Sequence, residues 1–248
     1  MRIKPKQQIL LLGPKSYLVR AEGRFDCEYG SVQLDKLVGK AFGTKIKIDK
    51  YNFSIVQPTV TDFLFKLAKR APQVILPKDA ATILAVTGIG RDAVVVDAGT
   101  GSSFLSLFLA NYVGKIYTYE KKKEFYKLAS RNIKNSGLKN ISIKLADISK
   151  GIKERNVDLI TLDLEGPEKI IKLAEKALKA GGWLVVYCLH VEEVQAVCRE
   201  LTKRSFTEPR IVENLQRNWQ IHVGKRTWTR PKSVMLGHTG FLVFARKI

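Results

Sequence analysis

Three acids occupy matching places in the 248-residue chain. Asp97 ends VVVD, Glu120 ends KIYTYE, and Asp147 ends ISIKLAD. Each closes a short apolar run, so each is expected at the C-terminal end of a strand. In open α/β sheets that end faces the crevice where ligands bind. The loop after Asp97 reads G-T-G-S-S. Gly99 and Gly101 have no Cβ, so the chain can turn tightly and a ligand can touch the backbone. An acid directly before the loop suits a ligand with an amino group and a positive charge. A phosphate prefers a helix N-terminus without a carboxylate beside it. Glu120 follows the glycines by about twenty residues, the interval at which an acid accepts hydrogen bonds from a ribose diol. Asp147 could meet an adenine amino group. Any one of these acids could equally cap a helix; three in register point to a ligand.

The surrounding pattern says what positions them. Residues 1–58 read as a small β domain, with QILLLG and SYLVRA as strands and KIKIDKYNFSIV as a hairpin. Residues 59–248 read as a second domain. TVTDFLFKLAKR has helical spacing, with Thr61 or Asp62 as its cap. APQVILPKDAATILAVTGIG predicts a kinked start and a helix, with Lys78 and Asp79 near its beginning and Gly88 and Gly90 at its end. From residue 94 strands alternate with helices: SFLSLFLANYVG, KKKEFYKLASRNIKNSG, PEKIIKLAEKALKAGG and VEEVQAVCRELTKR are the helical stretches. Alternation at this spacing means an α/β fold with a parallel, doubly wound sheet. PRIVENLQRNWQIH and SVMLGHTGFLVFARKI lack a helix between them and are expected to pair antiparallel at the sheet edge.

Composition narrows the partners. Lys and Arg number 43 against 23 Asp and Glu, a net charge of +20. The excess lies in residues 1–60, 111–150 and 201–248. Such blocks are either solvated lysine-rich faces or a surface that tracks phosphates, and an excess of this size points to the polyanionic partner. No apolar run approaches the ~20 residues of a membrane helix, and QILLLG lacks the features of a signal peptide. Cys27, Cys188 and Cys198 are too scattered for a disulfide scaffold or a zinc site. The expectation is an intracellular, cytoplasmic protein without a metal.

VVVDAGTGSS, YTYE and LADIS together resemble the S-adenosylmethionine-dependent methyltransferases. Four further segments resemble the tRNA adenine-N1 methyltransferases that act on the T-loop: QVILPKDAATIL, LITLDLEGPEKII, RNWQIHVGKRTWTRP and the closing MLGHTGFLVFARK. The resemblance spans nearly the whole chain, and its last segment is the most specific. It implies a Rossmann-like seven-stranded methyltransferase sheet and methyl transfer to N1 of adenine 58 of tRNA, with adenine 57 a further target in archaeal members. It also implies a homotetramer. By resemblance, Gly99, Gly101, Ser102, Ser103, Phe104 and Leu105 contact the cofactor and Glu120 holds its ribose. Asp147 and Ile148 flank its adenine, Gln73 and Ile75 close the pocket, and Asp163 is the catalytic carboxylate beside both cofactor and base. Ser103 stands where the family has a glycine, and Leu76 where an aromatic is common.

The chemistry fits these residues. Adenine N1 already carries a lone pair, so the enzyme must position the base rather than activate it. A carboxylate beside the exocyclic amine would stabilise the cation that develops. Glu165, two residues on, is a second acid or a helix-start charge. Arg217, Lys225, Arg226, Arg230 and His238, interleaved with Trp219 and Trp228, suit RNA binding. Two alternatives stay open: a methyltransferase for another substrate, and a tRNA-binding subunit of the same fold without catalysis.

Overall fold

The apolar runs of the first fifty residues pair with one another. Strands β1 (Gln8–Leu12), β2 (Ser16–Arg20), β3 (Arg24–Cys27), β4 (Gly30–Gln33), β5 (Lys45–Ile48) and β6 (Tyr51–Val56) form a four-stranded antiparallel sheet in the order β2-β1-β6-β5 and a separate β3-β4 hairpin. Ile9, Leu11, Ile48, Phe53 and Ile55 bury their side chains completely between these strands. The expected KIKIDKYNFSIV hairpin is β5–β6, with Lys45 opposite Ser54 and Ile48 opposite Tyr51. Helix α1 (Val60–Lys66) follows. Its cap is Thr59, not Thr61 or Asp62. The Thr59 hydroxyl accepts from the Asp62 N–H, and the Asp62 carboxylate accepts from the Thr59 N–H. Asp62 therefore closes a reciprocal capping box from inside the first turn.

This computed structural model describes residues 1–70 and 73–248. Its chain forms two units, Met1–Lys69 and Arg70–Ile248. The kinked start expected around Ala71 and Pro72 lies outside the described residues.

In the second unit, α2 (Pro77–Thr87) starts on a proline and ends at Gly88, whose φ of 63° supplies the left-handed cap. Then come β7 (Val94–Ala98), α3 (Phe104–Leu109), β8 (Lys115–Glu120), α4 (Lys123–Ser136), β9 (Ile141–Leu145), β10 (Val157–Leu162), α5 (Ile171–Ala177), β11 (Leu178–Cys188), α6 (Val191–Leu201), β12 (Arg210–Glu213), β13 (Trp219–His222), β14 (Trp228–Pro231) and β15 (Phe241–Arg246). Seven strands form one sheet in the order β12-β15-β11-β10-β7-β8-β9. Strands β7 to β11 pair in parallel, and β15 runs antiparallel to both β11 and β12. This is the α/β seven-stranded methyltransferase sheet expected from the sequence. The chain leaves β7 towards β8 on one side, and β10 lies on the other. The topological switch point, where such sheets bind ligands, is thus the β7–β10 seam.

Two expectations need correction. The helix expected over residues 167–182 splits into a 3₁₀ turn at Pro167–Ile170 and the shorter α5. Leu178 is buried and already pairs with Val157, so the strand begins before Gly181. The two C-terminal runs do not form one long pair. Only β12 and β15 meet at the sheet edge, while β13 and β14 form a hairpin of their own. Residues 214–239 therefore make an arm inserted between the edge strand β12 and its neighbour β15.

Candidate functional site

Asp97 is buried at the seam. Its register partners are Thr118 on β8 and Thr161 on β10. Thr161 donates to Oδ1 at 2.7 Å, and Thr118 and Ser106 donate to Oδ2 at 2.8 and 2.5 Å. Burial still holds its carboxyl above the usual carboxylate range, and the charge of Glu120 adds to this. With three hydroxyl donors on it, Asp97 organises the loop from behind. The sequence reading did not find these hydroxyls.

Gly99 has φ 85°, and a Cβ placed on it would lie 1.7 Å from the Asp163 carbonyl oxygen. The Asp163 N–H donates to the Ala98 carbonyl at 2.8 Å. The glycine loop and the end of β10 thus touch backbone to backbone, which only a residue without a side chain permits. Ser103, at φ 64°, holds a left-handed turn although it is not a glycine. The Ser102 hydroxyl is buried without a hydrogen-bond partner among the described residues. It lines a small pocket with Gln73, Ile75, Asp97, Gly99, Gly101, Phe104, Leu105 and Asp163.

That pocket shares Gln73, Gly99, Gly101 and Asp163 with a cleft of about 520 Å³. Glu120, Asp147 and Ile148 line it, as do Tyr119, Phe125, Leu164, Gly166 and Ile170, which sequence reasoning missed. Glu120 Oε2 accepts from the Gly101 N–H and Oε1 from the Lys122 N–H, each at 2.9 Å. The carboxylate is aimed at the loop and has lone pairs to spare. Asp147 Oδ1 accepts from the hydroxyl and N–H of Ser149, which hold its carboxyl below the usual range. Asp147 is therefore both a cap of the following 3₁₀ turn and a cleft residue. Glu165, two residues beyond Asp163 and past the end of β10 at Leu162, also lines the cleft.

Asp163 lines both the small pocket and the large cleft. Burial, reinforced by Asp97 and Glu193, pushes its carboxyl up to about 7. A cationic ligand in the pocket would favour its ionised form.

The basic residues expected to meet RNA divide. Arg217, Lys225, Arg226 and Arg230 are exposed on the arm. Arg230 lies over the Trp228 ring at 5.3 Å, and His222 stacks on the same ring at 5.6 Å. His238 differs: Nδ1 contacts Glu213 at 2.7 Å and Nε2 contacts the Leu189 carbonyl at 3.0 Å. Both its ring nitrogens are engaged within the chain, so it fixes the base of the arm. A buried network holds both feet of the arm. Lys78 donates to Asp79, to the Asn214 carbonyl and to the Thr239 hydroxyl, while Asn214 and Thr239 donate to Asp79.

The sheet order, the glycine loop and the acids at the strand ends define a Rossmann-like methyltransferase. The chain belongs to the family described as tRNA methyltransferase complex GCD14 subunit, whose model matches residues 52–227. Among curated relatives, the tRNA (adenine(57)-N(1)/adenine(58)-N(1))-methyltransferase TrmI of Methanocaldococcus jannaschii is 32% identical over 94% of this chain and 91% of its own length. The tRNA (adenine(58)-N(1))-methyltransferase TrmI of Thermus thermophilus is 29% identical over 94% and 93%. Among solved structures, a SAM-dependent O-methyltransferase from Thermotoga maritima superposes with a TM-score of 0.86 at 29% identity, covering all of this chain and 95% of its own. The tRNA (m1A58) methyltransferase TrmI of Aquifex aeolicus gives 0.82 at 25% identity, covering 100% and 99%.

Proposed function

We propose that this chain methylates N1 of adenine 58 in the T-loop of tRNA, with adenine 57 as a second target, using S-adenosylmethionine. The observation that carries the reading is the place of Asp163, a residue that lines both the glycine-loop pocket and the open cleft. The donor set fits the cofactor: an unpartnered buried hydroxyl at Ser102, a loop without side chains at Gly99, and Glu120 with free acceptor capacity. Gly99, Gly101 and Ser102 would hold the amino-acid end, Glu120 the ribose, and Asp147 with Ile148 the adenine. Gln73, Ile75, Phe104 and Leu105 would enclose it, with Ser103 and Asp97 shaping the loop. The cofactor supplies a methyl group activated on a sulfonium.

The chain's own residues do the rest. Asp163 accepts from the exocyclic amine of the target base and so orients N1. As the ring gains positive charge, that carboxylate stabilises it. No proton has to leave N1 before attack, so no base is required. Extruding the base costs a few kcal/mol, and cationic contacts to phosphate on the arm offset it. The chain acts in the cytoplasm, where its substrate is, as a homotetramer; no helix among the described residues is long and apolar enough to cross a membrane.

Reverse transcription of tRNA transcripts incubated with protein and cofactor tests this. Cofactor-dependent stops at adenine 58 and at adenine 57 are expected, and a stop at 58 alone would strike the second target from the reading. Methyl transfer to a hydroxyl acceptor without any stop in tRNA would overturn it, and would favour the chemistry named for the Thermotoga structure.

A further inference from the structure

The exposed side of α4 carries Lys123, Lys127, Arg131 and Lys134 at spacings of four, four and three residues. These are neighbours along one helix face. None of the four forms an ion pair among the described residues. The cations around α6 behave otherwise: Arg204 pairs with Glu200 and Glu175, and Lys203 with Glu200. The α4 arrangement also works against the helix itself. Like charges four apart repel, and Lys122 and Lys123 stand at the N-terminus, where the helix dipole disfavours cations; Glu124 is the acid of that first turn, and Lys134, in the last turn, is the cation of the stripe that the dipole favours. A merely solvated face would gain from interleaved acids.

This stripe is rigid and continuous with the site. The Asn132 side chain donates to the Ser102 carbonyl at 2.9 Å, so α4 is tied to the glycine loop. Lys121, Lys122 and Phe125, at the start of the helix, line the cleft. The stripe then runs away from the cleft for about 16 Å at the helical rise. It lies beside β8 and β9, at the edge of the sheet opposite β12 and β15, where the arm is inserted. Five strand spacings, about 24 Å, separate β9 from β15.

We propose that the outer face of α4 is a second RNA-binding surface, which tracks the phosphate backbone of the substrate on the side of the cleft away from the arm. The inference rests on the tRNA reading above and deepens it: the substrate is held from both sheet edges while its base enters over Asp163. The occupant is a nucleic-acid backbone, because a row of unpaired cations without aromatic rings between them on the exposed face reads charge and not sequence.

The test uses the full-length protein and a tRNA transcript. Wild type, Lys127→Gln, Arg131→Gln and the triple variant Lys127→Glu/Arg131→Glu/Lys134→Glu are compared for tRNA affinity across a salt series, for methylation kinetics, and for cofactor affinity by calorimetry. Each Gln change should make the slope of log affinity against log salt shallower by about 0.7–0.9, the contribution of one phosphate. The triple variant should raise the KM for tRNA tenfold or more, with cofactor affinity unchanged. Lys127→Arg should keep wild-type behaviour. Should the triple variant not fold, the two Gln variants decide alone, since both replace exposed residues by good helix formers. Slopes and KM equal to wild type in the variants would overturn the inference while leaving the enzyme's activity intact. A wild-type protein that neither binds nor methylates tRNA would instead remove the functional reading on which it rests.

Discussion

A carboxyl pushed up to about 7 is only partly ionised at neutral pH, and Asp163 owes that value to burial and to the charges of Asp97 and Glu193. The sign follows for two observables. In the unfolded chain Asp titrates near 3.9, so between about pH 4 and 7 the folded state keeps a proton that the unfolded state releases. Stability therefore declines as pH rises through that window and is level above it. The cationic cofactor prefers the ionised carboxylate, so its affinity should rise with pH up to about 7. Asp163→Asn should flatten both profiles in calorimetry and thermal denaturation. Asp163→Ala should slow single-turnover methylation by about 10²–10³-fold, the scale of losing one preorganised electrostatic group, with Asn between it and wild type. Wild-type turnover in Asp163→Ala would shift the role to another acid, Glu165 first. Ser103 poses a separate test, since it is fully buried at φ 64°. A non-glycine residue there costs on the order of 1–3 kcal/mol. Ser103→Gly should hold or raise the melting temperature, whereas Ser103→Val should lower it by several degrees; the reverse order would mean that the hydroxyl, not the backbone, holds the turn. The acids of this site were legible because each lies at the C-terminal end of a strand or within two residues of it. The hydroxyls around Asp97 were not, because Thr118 and Thr161 reach it only through cross-strand register, which no local window contains.

The arm shows what pattern reading does with an element that has no core. Trp219, Ile221, Thr229 and Pro231 share one face of the β13–β14 hairpin, and Gln220, His222, Trp228 and Arg230 share the other. Read along the chain, these runs look like edge strands of the main sheet. They are not, because nothing buries their apolar side: Trp219 is 59% and Ile221 66% exposed. The helices and parallel strands were legible for the opposite reason, since each buries one stripe or both faces. A hairpin with an apolar face and an aromatic–cation face has two jobs open to it. Trp228→Ala and Arg230→Ala should weaken tRNA binding, by about 1–3 kcal/mol where a base stacks, and leave assembly alone. Trp219→Ser with Ile221→Ser should dissociate the proposed tetramer in sedimentation velocity while the monomer stays folded. If assembly is unchanged, the apolar face is not a subunit contact.

At the scale of the whole chain, the excess of 43 basic over 23 acidic residues is not spread evenly. Residues 151–200, which hold β10, α5 and β11, contain more acids than bases, and Asp97, Glu120, Asp147 and Asp163 lie buried or half-buried at the C-terminal ends of the parallel strands. Cations gather instead on α4 at one edge of the sheet and on the arm at the other. An anionic macromolecule is thus attracted to the periphery, while the seam between β7 and β10 keeps a field that favours a cation. The two ligands of one reaction should therefore differ sharply in their response to salt. Transfer RNA binding releases counterions from each phosphate that is neutralised, so its affinity should fall steeply; with six or more contacts it drops by about 10³-fold or more between 50 and 200 mM salt. Cofactor affinity depends on short contacts to partly buried acids, which salt screens far less, and should change less than about threefold over the same range. Parallel titrations of tRNA by filter binding and of S-adenosylmethionine by calorimetry, in one salt series, measure both slopes. A tRNA affinity as flat as that of the cofactor would mean that the positive edges serve solubility alone, and the substrate would then have to be recognised through the arm's aromatic face without phosphate contacts.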